Sequence, residues 1–131
     1  MKFASLRIIL AALVLSGCSR IPYFVLFNNS GFNLSINSEG LLYSVPPGTI
    51  REIRYPGNTA FLEIEFGSGT NWNYQTAYPD KALMNGNTFS VQVESSGVIH
   101  VIRPGAKVPT TAFPPQPDGF PWRPNTAKPI S

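Results

Sequence analysis

The sequence predicts an all-β fold: a small antiparallel β-sandwich or barrel of seven or eight short strands, followed by an irregular proline-rich tail. Three observations carry that expectation. Beyond residue 20 the apolar residues recur with period 2 or in short runs, and a 3.6-residue period is scarcely present. Turn-forming clusters interrupt the chain every ~8–12 residues, as in sandwiches and barrels. The 131 residues include 11 Gly and 13 Pro, the strongest local punctuators of turns.

The elements follow in order. Tyr23 to Phe27 is an apolar run closed by Asn28-Asn29-Ser30-Gly31. Phe32, Leu34 and Ile36 alternate with Asn33, Ser35 and Asn37, the pattern of a half-buried strand, and Ser38-Glu39-Gly40 turns the chain. Leu41 to Val45 is stopped by Pro46-Pro47-Gly48, and Thr49 to Tyr55 ends at Pro56-Gly57-Asn58. In Thr59 to Phe66, Leu62, Ile64 and Phe66 share one face and Glu63 and Glu65 the other. Trp72 to Tyr78, Thr88 to Glu94 and Val98 to Ile102 complete the set, and Lys81-Ala82-Leu83-Met84 offers the one mid-chain helical turn. The Asn, Gly and Ser connections supply the positive φ that tight hairpins require.

Residues 104–131 are of another composition, with eight prolines and with Phe113, Phe120 and Trp122 interspersed. Proline cannot donate to a ladder, so this segment is expected outside the sheets. It is either an extended polyproline-II arm reaching outward or a strap laid across its own domain. The division is then 1–17 leader, 18–20 tether, 21–103 β-sandwich domain and 104–131 tail.

The front of the chain reads as an address. Lys2 and Arg7 precede the apolar run Ile8 to Leu15, which is too short for the ~20 residues that cross a bilayer. A basic start, an apolar run and small residues form a secretory signal. Leu15-Ser16-Gly17-Cys18 resembles the lipobox of bacterial lipoproteins. That resemblance covers the signal region alone. It implies cleavage before Cys18, a diacylglycerol on its sulfur and a palmitate-type chain on its nitrogen. Ser19 at the next position implies sorting to the outer membrane. Several acyl chains anchor firmly where one binds only marginally. Loss of Lys2 and Arg7 takes the formal charge from +3 to nearly neutral, with 8 basic and 7 acidic side chains, which disfavours nucleic acid.

Composition narrows the chemistry. One Cys and one His exclude an internal disulfide, a CxxC motif and any site that needs two His ligands, so no metal or cofactor is expected. His100, inside Val98 to Ile102, has no Ser or Cys tied to it by a motif and reads as structural. Glu63 and Glu65 at i, i+2 have the residue type for glycan acid–base work. The simpler reading is a solvent face, with Arg51 opposite across the Pro56-Gly57-Asn58 hairpin. Gly67-Ser68-Gly69 lacks the Lys of a phosphate loop. It is faintly similar to the Ser-Gly loops with which periplasmic lysozyme-inhibitor lipoproteins enter a muramidase cleft, although the cysteine pair common there is missing. The sequons Asn28-Asn29-Ser30 and Asn33-Leu34-Ser35 are idle in a bacterial lipoprotein.

The expected function is a non-enzymatic lipoprotein on the periplasmic side of the outer membrane. It would be a binding or structural component touching an envelope protein or the peptidoglycan cell wall through sheet edges or the tail. The contact candidates are Ser68, Trp72, Phe113, Phe120 and Trp122, with Cys18 as the lipidation site and no catalytic residue. The alternative is an inhibitor or immunity lipoprotein that blocks a wall-degrading enzyme by loop insertion. A small hydrolase using Glu63 or Glu65 stands third.

Overall fold

The computed structural model describes residues 22–57, 60–67 and 69–129. Two sheets lie face to face. One is ordered β4-β1-β7-β8 and the other β3-β2-β5-β6-β9. The strands are β1 (Tyr23–Asn29), β2 (Leu34–Ser38), β3 (Leu41–Val45), β4 (Ile50–Arg54), β5 (Phe61–Phe66), β6 (Thr70–Gln75), β7 (Thr88–Glu94), β8 (Ile99–Ile102) and β9 (Pro124–Pro129). A 3-10 turn spans Lys81–Leu83. The sheets form a sandwich and do not close into a barrel.

Period-2 alternation decides what each strand buries. Phe24 and Leu26 of β1 point inward beside Phe89 and Val91 of β7, which are their register partners. From the other sheet come Leu34, Ile36, Val45, Leu62, Ile64, Phe66 and Tyr74. Aromatic rings crowd one part of this core: Phe24 stacks on Phe89 at 5.6 Å, and both meet Trp122 edge-on at 5.4 and 6.0 Å. Tyr74 is fully buried but its hydroxyl donates to the Gly97 carbonyl at 2.7 Å, so that hydroxyl is not stranded. Tyr55 packs edge-on against Phe24, and its phenol pKa is pushed up to about 12, chiefly by burial.

Four features depart from the sequence reading. First, β1 and β7 pair in parallel. Hairpin turns specify only sequential antiparallel neighbours, whereas parallel strands need a long crossover, and here everything from residue 30 to 87 supplies it. Secondly, β4 and β5 form no hairpin. The Tyr55 N–H donates to the Pro22 carbonyl at 3.1 Å, prolonging the first sheet, and the chain then crosses to the second. Arg51 therefore does not face Glu63. It donates to the Ser44 carbonyl at 3.1 Å, with its guanidinium 5.3 Å from the Tyr43 ring centroid. Thirdly, Phe32 precedes β2, in a bend held by buried Asn28, whose Nδ2 donates to the Phe32 and Val45 carbonyls at 2.7 and 2.9 Å.

The fourth departure is at the end of the tail. Residues 104–122 take the second of the two arrangements expected, a strap over the outer side of β7 and β8, but Pro124–Pro129 forms edge strand β9 beside β6, inside a sheet. Its prolines sit at the two ends of an edge strand, where a missing N–H costs least. The strap is pinned by amide pairs. Gln92 donates to the Thr110 carbonyl at 2.9 Å and accepts from the Thr110 N–H at 3.0 Å. Gln116 does the same for Val101, at 3.0 and 2.9 Å. Trp122 exchanges both main-chain bonds with Ile99, at 2.9 and 2.8 Å. The free edge of β8 is thus satisfied at alternate residues, first by main chain and then by a side chain imitating it.

Candidate functional site

The contact candidates separate once placed. Cys18 and Ser68 lie outside the described residues. Phe120 and Trp122 are 9% and 1% exposed, so they are core residues whose rings are almost wholly packed inside the protein. Their burial follows from the strap, which turns inward there; Phe120 meets Phe89 edge-on at 6.2 Å and stacks on Trp122 at 5.2 Å. Trp72 is half-buried against Phe66, with ring centroids 5.1 Å apart. Gly97 lies directly against the Trp72 ring: a Cβ there would stand 1.7 Å from it, and the φ of +88° admits glycine with least strain. Trp72 is therefore a packing residue and not a free stacking platform. Phe113, half-buried, stacks on His100 at 4.2 Å and 12°.

His100 serves the strap. Burial lowers its imidazole pKa, nearby Glu94 opposes that shift and Arg123 adds to it. With Phe113 on one face and Gln92 opposite in the register, it sits in a wall.

What the fold brings together on a solvent face is polar. Strands β2, β5 and β6 are adjacent, and their register sets Ser35 beside Glu65, Asn37 beside Glu63, Glu65 beside Asn71 and Glu63 beside Asn73. The inward partners Ile36, Ile64 and Trp72 fix the orientation, since a strand that buries one set must expose the next. Six hydrogen-bonding side chains from three strands therefore share the outer face. Asn71 Nδ2 donates to Glu63 Oε2 at 3.0 Å, while its Oδ1 is buried without a hydrogen-bond donor. A shallow depression of about 120 Å³ lies among Ser35, Asn37, Glu63, Glu65 and Asn71, rimmed by Leu42. Such a row can match the alternating donors and acceptors of a peptide or a glycan. Glu63 and Glu65 were legible as a strand face; the amides around them belong to distant segments and had no local signal.

A second concavity, about 480 Å³, opens between the end of β6 and the strap, lined by Gln75, Thr76, Gly119, Trp122, Arg123 and Asn125. Its floor is the close approach of strap to sheet. Among the described residues no group of three or more His, Cys, Asp or Glu is placed to hold a metal ion.

The comparisons with known proteins add no relative: no protein-family model, curated protein or solved structure matches this chain.

Proposed function

We propose that the protein is a non-enzymatic outer-membrane lipoprotein, a binding or structural component on the periplasmic side that contacts an envelope protein or the cell wall. The observation that carries this reading is the lipobox-like Leu15-Ser16-Gly17-Cys18, standing directly after an apolar run and only residues 19–22 ahead of β1. A cysteine so placed is an anchoring atom for a domain that starts at once.

The contact surface in this reading is the polar outer face of β2, β5 and β6. The strap supports the choice by elimination, because its Phe120 and Trp122 are committed to the core. Deleting residues 104–131 would remove β9 and a core tryptophan, so partner loss on truncation would report unfolding and not recognition.

The informative experiment is position-specific photocrosslinking in intact membranes. A photoreactive residue at Ser35 or Glu65 of the full-length protein should give a discrete adduct with one envelope protein, or with peptidoglycan fragments. The same residue at exposed Thr111 on the strap should give none. Adducts from Thr111 alone would transfer recognition to the strap, and a precursor found unacylated at Cys18 would remove the reading.

A further inference from the structure

The sandwich has two ends, and they differ. The β1 start at Tyr23 pairs with Arg54 of β4 and Thr88 of β7, which places all three at one end. The second sheet is aligned to it by the Ser38 hydroxyl, which donates to the Arg54 carbonyl at 2.5 Å. The β2–β3 turn at Glu39-Gly40, the first residue of β5 (Phe61) and the segment after β6 therefore lie at this end as well. Thr76 confirms the grouping, with its N–H on the Ala60 carbonyl at 3.1 Å and its hydroxyl on the Gly57 carbonyl at 2.7 Å.

This end carries most of the large apolar side chains left in solvent. Leu42 is 77% exposed and Phe61 59%, with Leu41 and Tyr78 less so. The opposite end and its flank show Ile50 and Phe32. Exposed Asp80 and Lys81, in the segment leading to the Asn85–Thr88 bridge, belong to this end, as does an Arg54–Glu39 ion pair at 3.4 Å. An apolar tip with long basic side chains and a tyrosine is the composition that settles at a bilayer surface.

We infer that this end of the sandwich rests on the membrane, with Leu42, Phe61 and Leu41 entering the lipid headgroup–acyl boundary beside the anchor. The inference rests on acylation of Cys18. Residues 19–22 are the whole tether, and at ~3.3 Å per residue they hold the start of β1 within roughly 15 Å of the lipid. The domain cannot turn its other end to the bilayer without outrunning that length. The occupant of the apolar tip is therefore a lipid surface, and the Ser35, Glu65 and Asn71 side of the polar outer face, away from Leu42 and Phe61, is left for a partner. Anchor and tip together supply the two signals that stable, oriented attachment needs.

The test uses the full-length acylated protein in vesicles of phosphatidylethanolamine and phosphatidylglycerol. Cys18 is the sole cysteine and its sulfur is blocked by lipid in this reading. Leu42→Cys, Phe61→Cys, Ile50→Cys and Phe32→Cys each accept one environment-sensitive fluorophore. Blue-shifted emission and a several-fold rise in intensity are expected on vesicles at positions 42 and 61, with little change at 50 and 32. Equal responses at the two ends, in a protein that floats with the vesicles, would overturn the inference while leaving the anchor intact. A shift at 42 and 61 that grows with protein concentration in detergent without vesicles would assign the tip to a second copy and overturn it too. Labelling of unsubstituted protein at Cys18 would show a free thiol and remove anchor and inference together.

Discussion

The two flanks of the sandwich close in different ways. On one flank β3 and β4, consecutive in the chain, lie in opposite sheets and are bridged by side chains: Arg51 reaches the Ser44 carbonyl and the Tyr43 ring, and the Arg54 N–H donates to the Tyr43 hydroxyl at 3.1 Å. On the other flank β8 and β6 are bridged by main chain, first through the Trp122–Ile99 pair and then through β9. Both devices answer one problem, an unpaired strand edge that invites association. The first uses a few exposed, rotatable groups. The second uses a segment that buries aromatic rings as it passes. The strap flank should therefore dominate stability, while the β3–β4 flank contributes mainly a guarded surface.

The largest expected effect is at Trp122. Trp122→Ala removes a ring that touches Phe24, Phe89 and Phe120 and leaves a cavity at the crossing between the sheets. A loss of about 3–5 kcal/mol is expected, read as a lower urea midpoint. A midpoint shifted by less than a quarter of that amount would mean the strap is an ornament and the comparison is wrong.

Next comes Gln92, fully buried, whose amide makes two bonds to the Thr110 main chain. Gln92→Ala leaves those groups unpaired and should cost about 1–3 kcal/mol. Native-state hydrogen exchange should show faster exchange at Thr110, with β2 and β5 amides protected until global unfolding. Uniform acceleration would show that strap and sheet open as one unit.

These two cases also show what a sequence can disclose. Leu41–Val45 and Thr88–Glu94 have the expected bounds, because alternation and flanking turns are local signals. The parallel β1–β7 pair, the crossing between β4 and β5, and β9 were not legible. Each depends on segments far apart in the chain, and a glutamine that imitates a ladder carries no periodicity. Of the polar outer face, Glu63 and Glu65 were visible as a pair; Ser35, Asn37, Asn71 and Asn73 joined them only through register.

A pH profile sharpens the strap side further. Burial lowers the His100 pKa in the folded state below its ordinary 6.5, so the unfolded chain binds more protons between those two values. Stability should fall as pH drops through about 6.5 and level off below the folded pKa. In His100→Gln the melting temperature should lose this component of its slope between pH 7.5 and 5.5. An unchanged slope would assign the acid sensitivity to carboxylates instead.

The smallest effect belongs to the other flank. Arg51→Ala removes one exposed hydrogen bond and one cation–π contact, groups worth about 0.5–1 kcal/mol at a surface. The melting temperature should barely move. The β3 and β4 edges, however, would lose the charge that lies across them, with Ile50 and Leu42 already in solvent. Edge pairing between copies should then appear in sedimentation velocity as a concentration-dependent dimer tighter than any the parent chain forms. If Arg51→Ala instead costs as much stability as Gln92→Ala, the bridge to Tyr43 and Ser44 is structural, and the two flanks hold the sandwich equally.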